Sequence, residues 1–200
     1  MEWLDVVDEN GNPTGERVER SEAHGKGILH RTAHVWLLRR KSEEKDVQDN
    51  NKEIQDNHRR IDGVEILLQK RSQNKDSYPG CYDISSAGHI PAGVDFIPSA
   101  LRELEEELGV HAKANELHYC GQRKIHYEDY FHGKYFIDNQ VSNVYALWLD
   151  LEEEQFILQR EEVEAVHWMD FAECVKAVAE NTIKNCIAME ELEMINSLIS

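Results

Sequence analysis
Apolar residues in this chain fall into short blocks, and the period within each block assigns it to strand or helix. WLDVVD at residues 3–8 and the stretch 14–19 flank ENGNP, a turn-forming segment, which predicts an N-terminal β-hairpin. The short polar piece RSEAHGKG follows. Leu29 to Arg40 and Val64 to Arg71 are rich in Val, Leu and Ile and end in basic residues, so both read as strands. Residues 41–62 between them offer only Val47, Ile54 and Ile61 as apolar side chains, too little to bury a core, and are expected to form a solvated loop.

SYPGCYDISSAGH reads as a turn followed by a short strand. Asp95 can cap the helix after it, Pro98 falls in that helix's first turn, and Gly109 should end it. Further strands are expected at Leu117 to Tyr127, Val141 to Leu149 and Ala165 to Met169. Asp170 should cap a helix running through Ala179, and Ile183 to Ile199 reads as a last amphipathic helix. Strands and helices mix without strict alternation, and there is no internal repeat, so an α+β fold with a mixed sheet is favoured over a doubly wound one.

Composition narrows the classes. The 200 residues contain no apolar run near the roughly 18 needed to cross a bilayer, so a single domain over residues 1–200 is expected. The opening MEWLDVVDENGN has no basic region followed by an apolar stretch, which makes the cytoplasm the expected compartment. Cys81, Cys120, Cys174 and Cys186 lack CxxC spacing and fit free thiols. A net charge of −17 argues against nucleic acid or an anionic membrane as the main partner. A small phosphorylated ligand stays open, since local cations or a bound metal can reverse the field within one cleft.

The helix after Gly88 carries the chemistry. At 100° per residue Ala100, Leu101, Leu104 and Leu108 share one side, which supplies a docking stripe. Glu103, Glu106 and Glu107 share the adjoining side, while Glu105 points elsewhere. Like charges so spaced repel by roughly 0.2–0.5 kcal/mol per pair in water, and more where solvent is excluded. Spacing alone leaves two readings: a divalent cation such as Mg²⁺ offsets the repulsion, or the face is simply acidic and solvated.

Gly88, Arg102, Glu103, Leu104, Glu106, Glu107, Gly109 and Val110 resemble the Nudix box, in which G and E precede R-E-U-x-E-E-x-G-U, with U aliphatic. Every fixed position matches but one: the box's first glutamate falls on Val94, with Asp95 beside it. The resemblance implies a Nudix-type fold, a mixed sheet between helices. It also implies hydrolysis of a small-molecule diphosphate, with Mg²⁺ or Mn²⁺ held by Glu103, Glu106 and Glu107. Arg102 would then belong to the catalytic apparatus, and either Glu106 or a loop residue such as Glu162 would take the proton from water. Glu162 in REEVEAVHW reads equally well as a surface charge at the start of a strand.

Beyond the box, DENGNPTG, AHGKGILHRTAHVWL, QKRSQNKDSYPG and SSAGH resemble the branch that includes isopentenyl diphosphate isomerase. That resemblance implies diphosphate binding by Arg71 and Lys75 beside Gly88, and a second metal site at His24, His30 and His89. The histidines read alternatively as scaffold groups bonded to backbone carbonyls. His30 and His34, four apart on a strand, would lie about 13 Å apart on one side and cannot share a metal. Isomerisation also needs a cysteine and a glutamate, whose places fall on Ala87 and Gln140. A hydrolase is therefore expected, an isomerase-like enzyme and a non-catalytic metabolite sensor being the alternatives. The apolar hairpin and terminal helix leave room for a homodimer.

Overall fold
In the computed structural model residues 1–41 and 63–200 are described, so the polar stretch expected as a loop lies, apart from Lys41, outside the described residues. Strands β1 (Trp3–Val7) and β2 (Pro13–Glu19) form the N-terminal antiparallel hairpin. The polar piece after it is a short helix, α1 (Arg20–Lys26), stopped by Gly27. The main sheet is built from β3 (His30–Arg40), β4 (Val64–Arg71), β5 (Tyr82–Asp83), β6 (Ser86–His89), β7 (His118–Phe131), β8 (Lys134–Trp148) and β9 (Val163–Asp170). Its path runs β5-β4-β3-β8-β7, with β6 also on β3 and β9 also on β4. β3 and β8 are parallel and the other pairs antiparallel, so the sheet is mixed.

Both faces of the sheet are covered, which explains why β3 reads as a continuous apolar run. Ala33, Val35, Leu37 and Leu67 pack under helix α2 (Phe96–Leu108) through Ala100, Leu104 and Leu108. Trp36, Leu38, Ile66 and Leu68 face the opposite way, toward helices α3 (Phe171–Ala179) and α4 (Met189–Ile199) through Phe171, Cys174, Leu192 and Ile195. The α+β fold with a mixed sheet between helices is thus observed. Asp95 and Asp170 cap α2 and α3 as expected, and α2 ends at Gly109.

Two expectations need correction. The last helix begins at Met189 rather than Ile183. Tyr82 draws the preceding segment to the sheet edge: its N–H donates to the Lys184 carbonyl at 2.8 Å and its carbonyl accepts the Cys186 N–H at 3.0 Å. Those pairings replace helical ones, although Ile183 and Ile187 still reach the core. Residues 128–140, expected between strands, complete a long β7–β8 hairpin whose turn at His132–Gly133 has φ of 50° and 75°. That turn geometry suits the twist of a tight hairpin. Among the described residues, no helix is long and apolar enough to cross a membrane.

Candidate active site
Helix α2 lies on the sheet so that its acidic face meets β6. Glu107 is 3% exposed, and among the described residues its carboxylate takes one hydrogen bond, from Ser86 Oγ at 2.9 Å. Burial pushes its pKa up to about 7 against the pull of the Lys75 charge. Glu103, one turn earlier, lies directly over Gly88: a Cβ on that glycine would stand 2.2 Å from Glu103 Cδ. The box's first glycine is therefore the space that the carboxylate of Glu103 occupies. Burial raises the Glu103 pKa as well, opposed by its contact with Arg102.

Arg102 ties the group together. It pairs with Glu103, donates from Nη2 to the His89 carbonyl at 3.4 Å, and places Nε 3.6 Å from Glu106 Oε2. Glu106 sits at the rim, its side chain 57% exposed, while Glu105 turns away toward His111. Glu103, Glu106 and Glu107 line a cleft of ≈ 620 Å³, with Lys75 and Glu162 also in its wall. Lys75 and Glu162 form an ion pair. Partial burial works to raise the Glu162 pKa, but Lys75 prevails and holds it below the ordinary carboxylate value.

The cleft continues into a larger one of ≈ 1110 Å³, which shares Lys75, Gly88, His89 and Glu162 with the first. Arg71 lines it with its guanidinium already engaged: Nη1 donates to Asp83 at 2.7 Å, and Nε and Nη2 donate to the Ser77 carbonyl at 3.2 and 2.9 Å. His24 and His89 line it too, and with the fully buried His30 each offers a ring nitrogen so that all three lie within 4.8 Å of one another. The Nδ1 atoms of His24 and His30 face the carbonyls of Ile137 and Ile28 at 3.3 and 2.8 Å. In His24 and His30 one ring nitrogen thus faces a backbone carbonyl, and His24 Nε2 lies 3.0 Å from His89 Nε2. Burial lowers the pKa of all three, His24 to about 3, and so keeps them neutral. Neutral imidazoles are the form that ligates metal.

His34 takes no part in the cluster and pairs with Glu191 of α4 at 2.8 Å. Ala87 and Gln140 border the larger cleft, where Gln140 accepts a hydrogen bond from Thr32 at 3.1 Å. Sequence reasoning passed over Ser86 and Asp138. Asp138 stands 3.8 Å from His24 Nδ1, and burial lifts its pKa to about 6. Its place two residues before Gln140 was the signal for Asp138; Ser86 carries none outside the folded pairing of β6 with α2.

The donor chemistry fits a hard divalent cation: paired carboxylates, one deeply buried, with no cationic atom hydrogen-bonded to Glu107 among the described residues. A model described as the NUDIX domain matches residues 54–188. The chain is 38% identical over 176 residues to Nudix hydrolase 3 of Arabidopsis thaliana, covering 86% of this chain and 20% of that protein. An uncharacterized Nudix hydrolase of Clostridium acetobutylicum is 36% identical over 162 residues, covering 81% of this chain and 66% of its own length. The chain thus spans less than two thirds of these two relatives. A solved Deinococcus radiodurans protein superposes with a TM-score of 0.62 at 17% identity, covering 98% of each chain. The NUDIX domain of Shewanella oneidensis NrtR, complexed with ADP ribose, superposes with a TM-score of 0.52 at 14% identity, covering 92% of this chain and 100% of that one.

Proposed function
Because the chain belongs to the Nudix family, we propose that it is a Mg²⁺- or Mn²⁺-dependent hydrolase that cleaves a phosphoanhydride bond in a small diphosphate and releases two phosphorylated products. The observation that carries this reading is the pairing of Glu103 and Glu107 against β6 in the wall of an open cleft. Glu103 and Glu107 would hold the cation, with Glu106 joining from the rim. The chemistry the cation supplies is neutralisation of charge on the phosphoryl oxygens and a lowered pKa for the attacking water.

The chain's own residues do the rest. Arg102 orients Glu103 by holding it against the His89 carbonyl, and Gly88 keeps the space open. Lys75 turns from Glu162 to the diphosphate, which fixes the substrate and releases Glu162. The freed carboxylate then accepts the proton of the water; Glu106 at the rim is the other base within the cleft. Arg71, whose N–H groups are committed to Asp83 and Ser77, contributes its charge to the diphosphate-binding wall. Around this centre we read residues 1–200 as one Nudix unit with an N-terminal hairpin extension, acting in the cytoplasm and able to pair as a homodimer.

A second divalent cation at His24, His30 and His89 is favoured by the convergence of their ring nitrogens. Asp138 behind His24 is placed to orient it. Isomerisation has least support, since Ala87 and Gln140 provide no proton donor or acceptor.

The test is incubation with Mg²⁺ and a panel of nucleotide sugars, dinucleotides, nucleoside triphosphates, isoprenoid diphosphates and ADP-ribose, the ligand of the NrtR domain. Cleavage of one panel member by wild type and its loss in Glu107→Gln is expected. No cleavage by wild type, or full activity in Glu107→Gln, sinks the reading. Tight binding without product would instead indicate a sensor.

A further inference from the structure
The Nudix box calls for a glutamate where this chain has Val94. The segment around Val94 is nevertheless held by a carboxylate, one that reaches it from the N-terminal hairpin. Asp5 on β1 is 8% exposed. Its Oδ2 accepts the Gly93 N–H at 2.7 Å and faces Arg31 Nη2 at 3.4 Å. That same Nη2 donates to the Val94 carbonyl at 2.8 Å, and the guanidinium covers the Phe96 ring at 5.2 Å. Leu4 bridges Pro91, and the Ala92 N–H donates to the Trp3 carbonyl at 2.8 Å. Gly93 adopts φ of 80°, a backbone that side chains rarely take, so its N–H is presented by a conformation special to glycine.

Residues 90–95 join β6, which carries Gly88, to α2, which carries Glu103 and Glu107. Glu103 fills the space beside Gly88 that a Cβ would take. A small shift of this segment therefore moves α2, and both carboxylates with it, relative to β6. Arg31 is buried, and a buried cation needs an anion. Asp5 supplies it from inside, while Asp95, 3.8 Å from Nη1, is mostly solvated.

We propose that Asp5 is a positioning residue that provides, from outside the box, a carboxylate for the segment around Val94: through Gly93 and Arg31 it fixes the β6–α2 segment so that α2 seats Glu103 and Glu107 against β6 at the cleft. The proposal rests on reading those two glutamates as metal ligands.

The experiment titrates Mn²⁺ into the full chain and its variants, reading free Mn²⁺ by electron paramagnetic resonance and the melting temperature in a chelator. Glu103→Gln identifies the binding class that belongs to the carboxylate site. Asp5→Ala is expected to weaken that class by about 10-fold, the lower end of the loss seen when a group bonded directly to a metal ligand is removed, because Asp5 acts one step further out. Asp5→Asn, which keeps an acceptor for Gly93 but no charge for Arg31, should fall between, and it carries the test if Asp5→Ala does not fold. A merely structural Asp5 would lower the melting temperature and leave the Mn²⁺ affinity of the folded protein unchanged. That result overturns the proposal while leaving the metal site standing. If wild type shows no Mn²⁺ class sensitive to Glu103→Gln, the metal reading fails and the proposal falls with it.

Discussion

Glu107 is the residue at which the site's electrostatics can be weighed. Its folded pKa of about 7 stands above the ordinary 4.5 because burial favours the neutral acid. The folded state then binds the proton more tightly than the unfolded one. That contribution to stability is complete below pH 4.5 and is lost as pH rises to about 7. The loss is roughly 3 kcal/mol at most, from the free energy of a pKa shift of this size. In a chelator, urea unfolding at pH 5 and pH 8 should show wild type weakening across this window and Glu107→Gln weakening less, since Asp138 and Glu103, also raised by burial, still titrate there. Equal pH dependence in both proteins would refute the assignment. Gly88→Ala makes a second residue-scale prediction. A methyl cannot coexist with Glu103 as placed, so the carboxylate must leave its position. Divalent-metal affinity should fall about 10-fold or more with the fold retained, measured by Mn²⁺ titration and circular dichroism. The spacing of Glu103, Glu106 and Glu107 was legible because one helix sets it. That Glu107 is buried and Glu106 solvated was not, because it depends on how the helix rests on β6.

Among the elements, α4 is secured by the least expected interaction. Glu191 is buried and accepts from Arg123 Nη1 at 2.7 Å, His34 Nδ1 at 2.8 Å and Trp36 Nε1 at 3.0 Å. Burial works to raise its pKa, but the His34 and Arg123 charges win and hold it at about 2. Removing this anion takes the acceptor from half-buried His34 and buried Trp36 of β3 and leaves Arg123 of β7 with Glu190 alone. Glu191→Ala is therefore expected to destabilise the protein by about 3–5 kcal/mol, the usual result of breaking a buried pair from one side. A urea midpoint unchanged from wild type would show that α4 docks through its apolar face alone. The element boundaries explain what was legible at this scale. Caps and apolar stripes fixed α2 and α3 because both signals are local. The start of α4 depended on Tyr82, about a hundred residues away. The β7–β8 hairpin escaped notice past Tyr127 because Tyr130 and Phe131, then Tyr135, Phe136 and Ile137, come as adjacent clusters instead of alternating with polar residues.

At the scale of the whole molecule, a chain with net charge −17 brings Glu103, Glu106 and Glu107 into the wall of one of two adjoining clefts. Cations that bind the folded chain there and not the unfolded one must stabilise the fold by mass action. At a free concentration one hundred times the dissociation constant the gain is about 2.7 kcal/mol per site. For a domain of this size that corresponds to a rise of roughly 5–10 °C in melting temperature. Melting curves in a chelator and in rising Mn²⁺ should therefore separate, and the chelator should reverse the shift. Glu107→Gln removes the carboxylate contribution, whereas replacing His24 and His89 with alanine removes the one attributed to the histidine cluster. If the two sites act independently, their shifts add within about 0.5 kcal/mol. They are neighbours, however: Gly88 receives Glu103 and the adjacent His89 joins the histidines, so the short strand β6 touches both centres. Filling one centre fixes that strand for the other, and the combined stabilisation should exceed the sum. A sum that is strictly additive would mean that β6 is already rigid without metal.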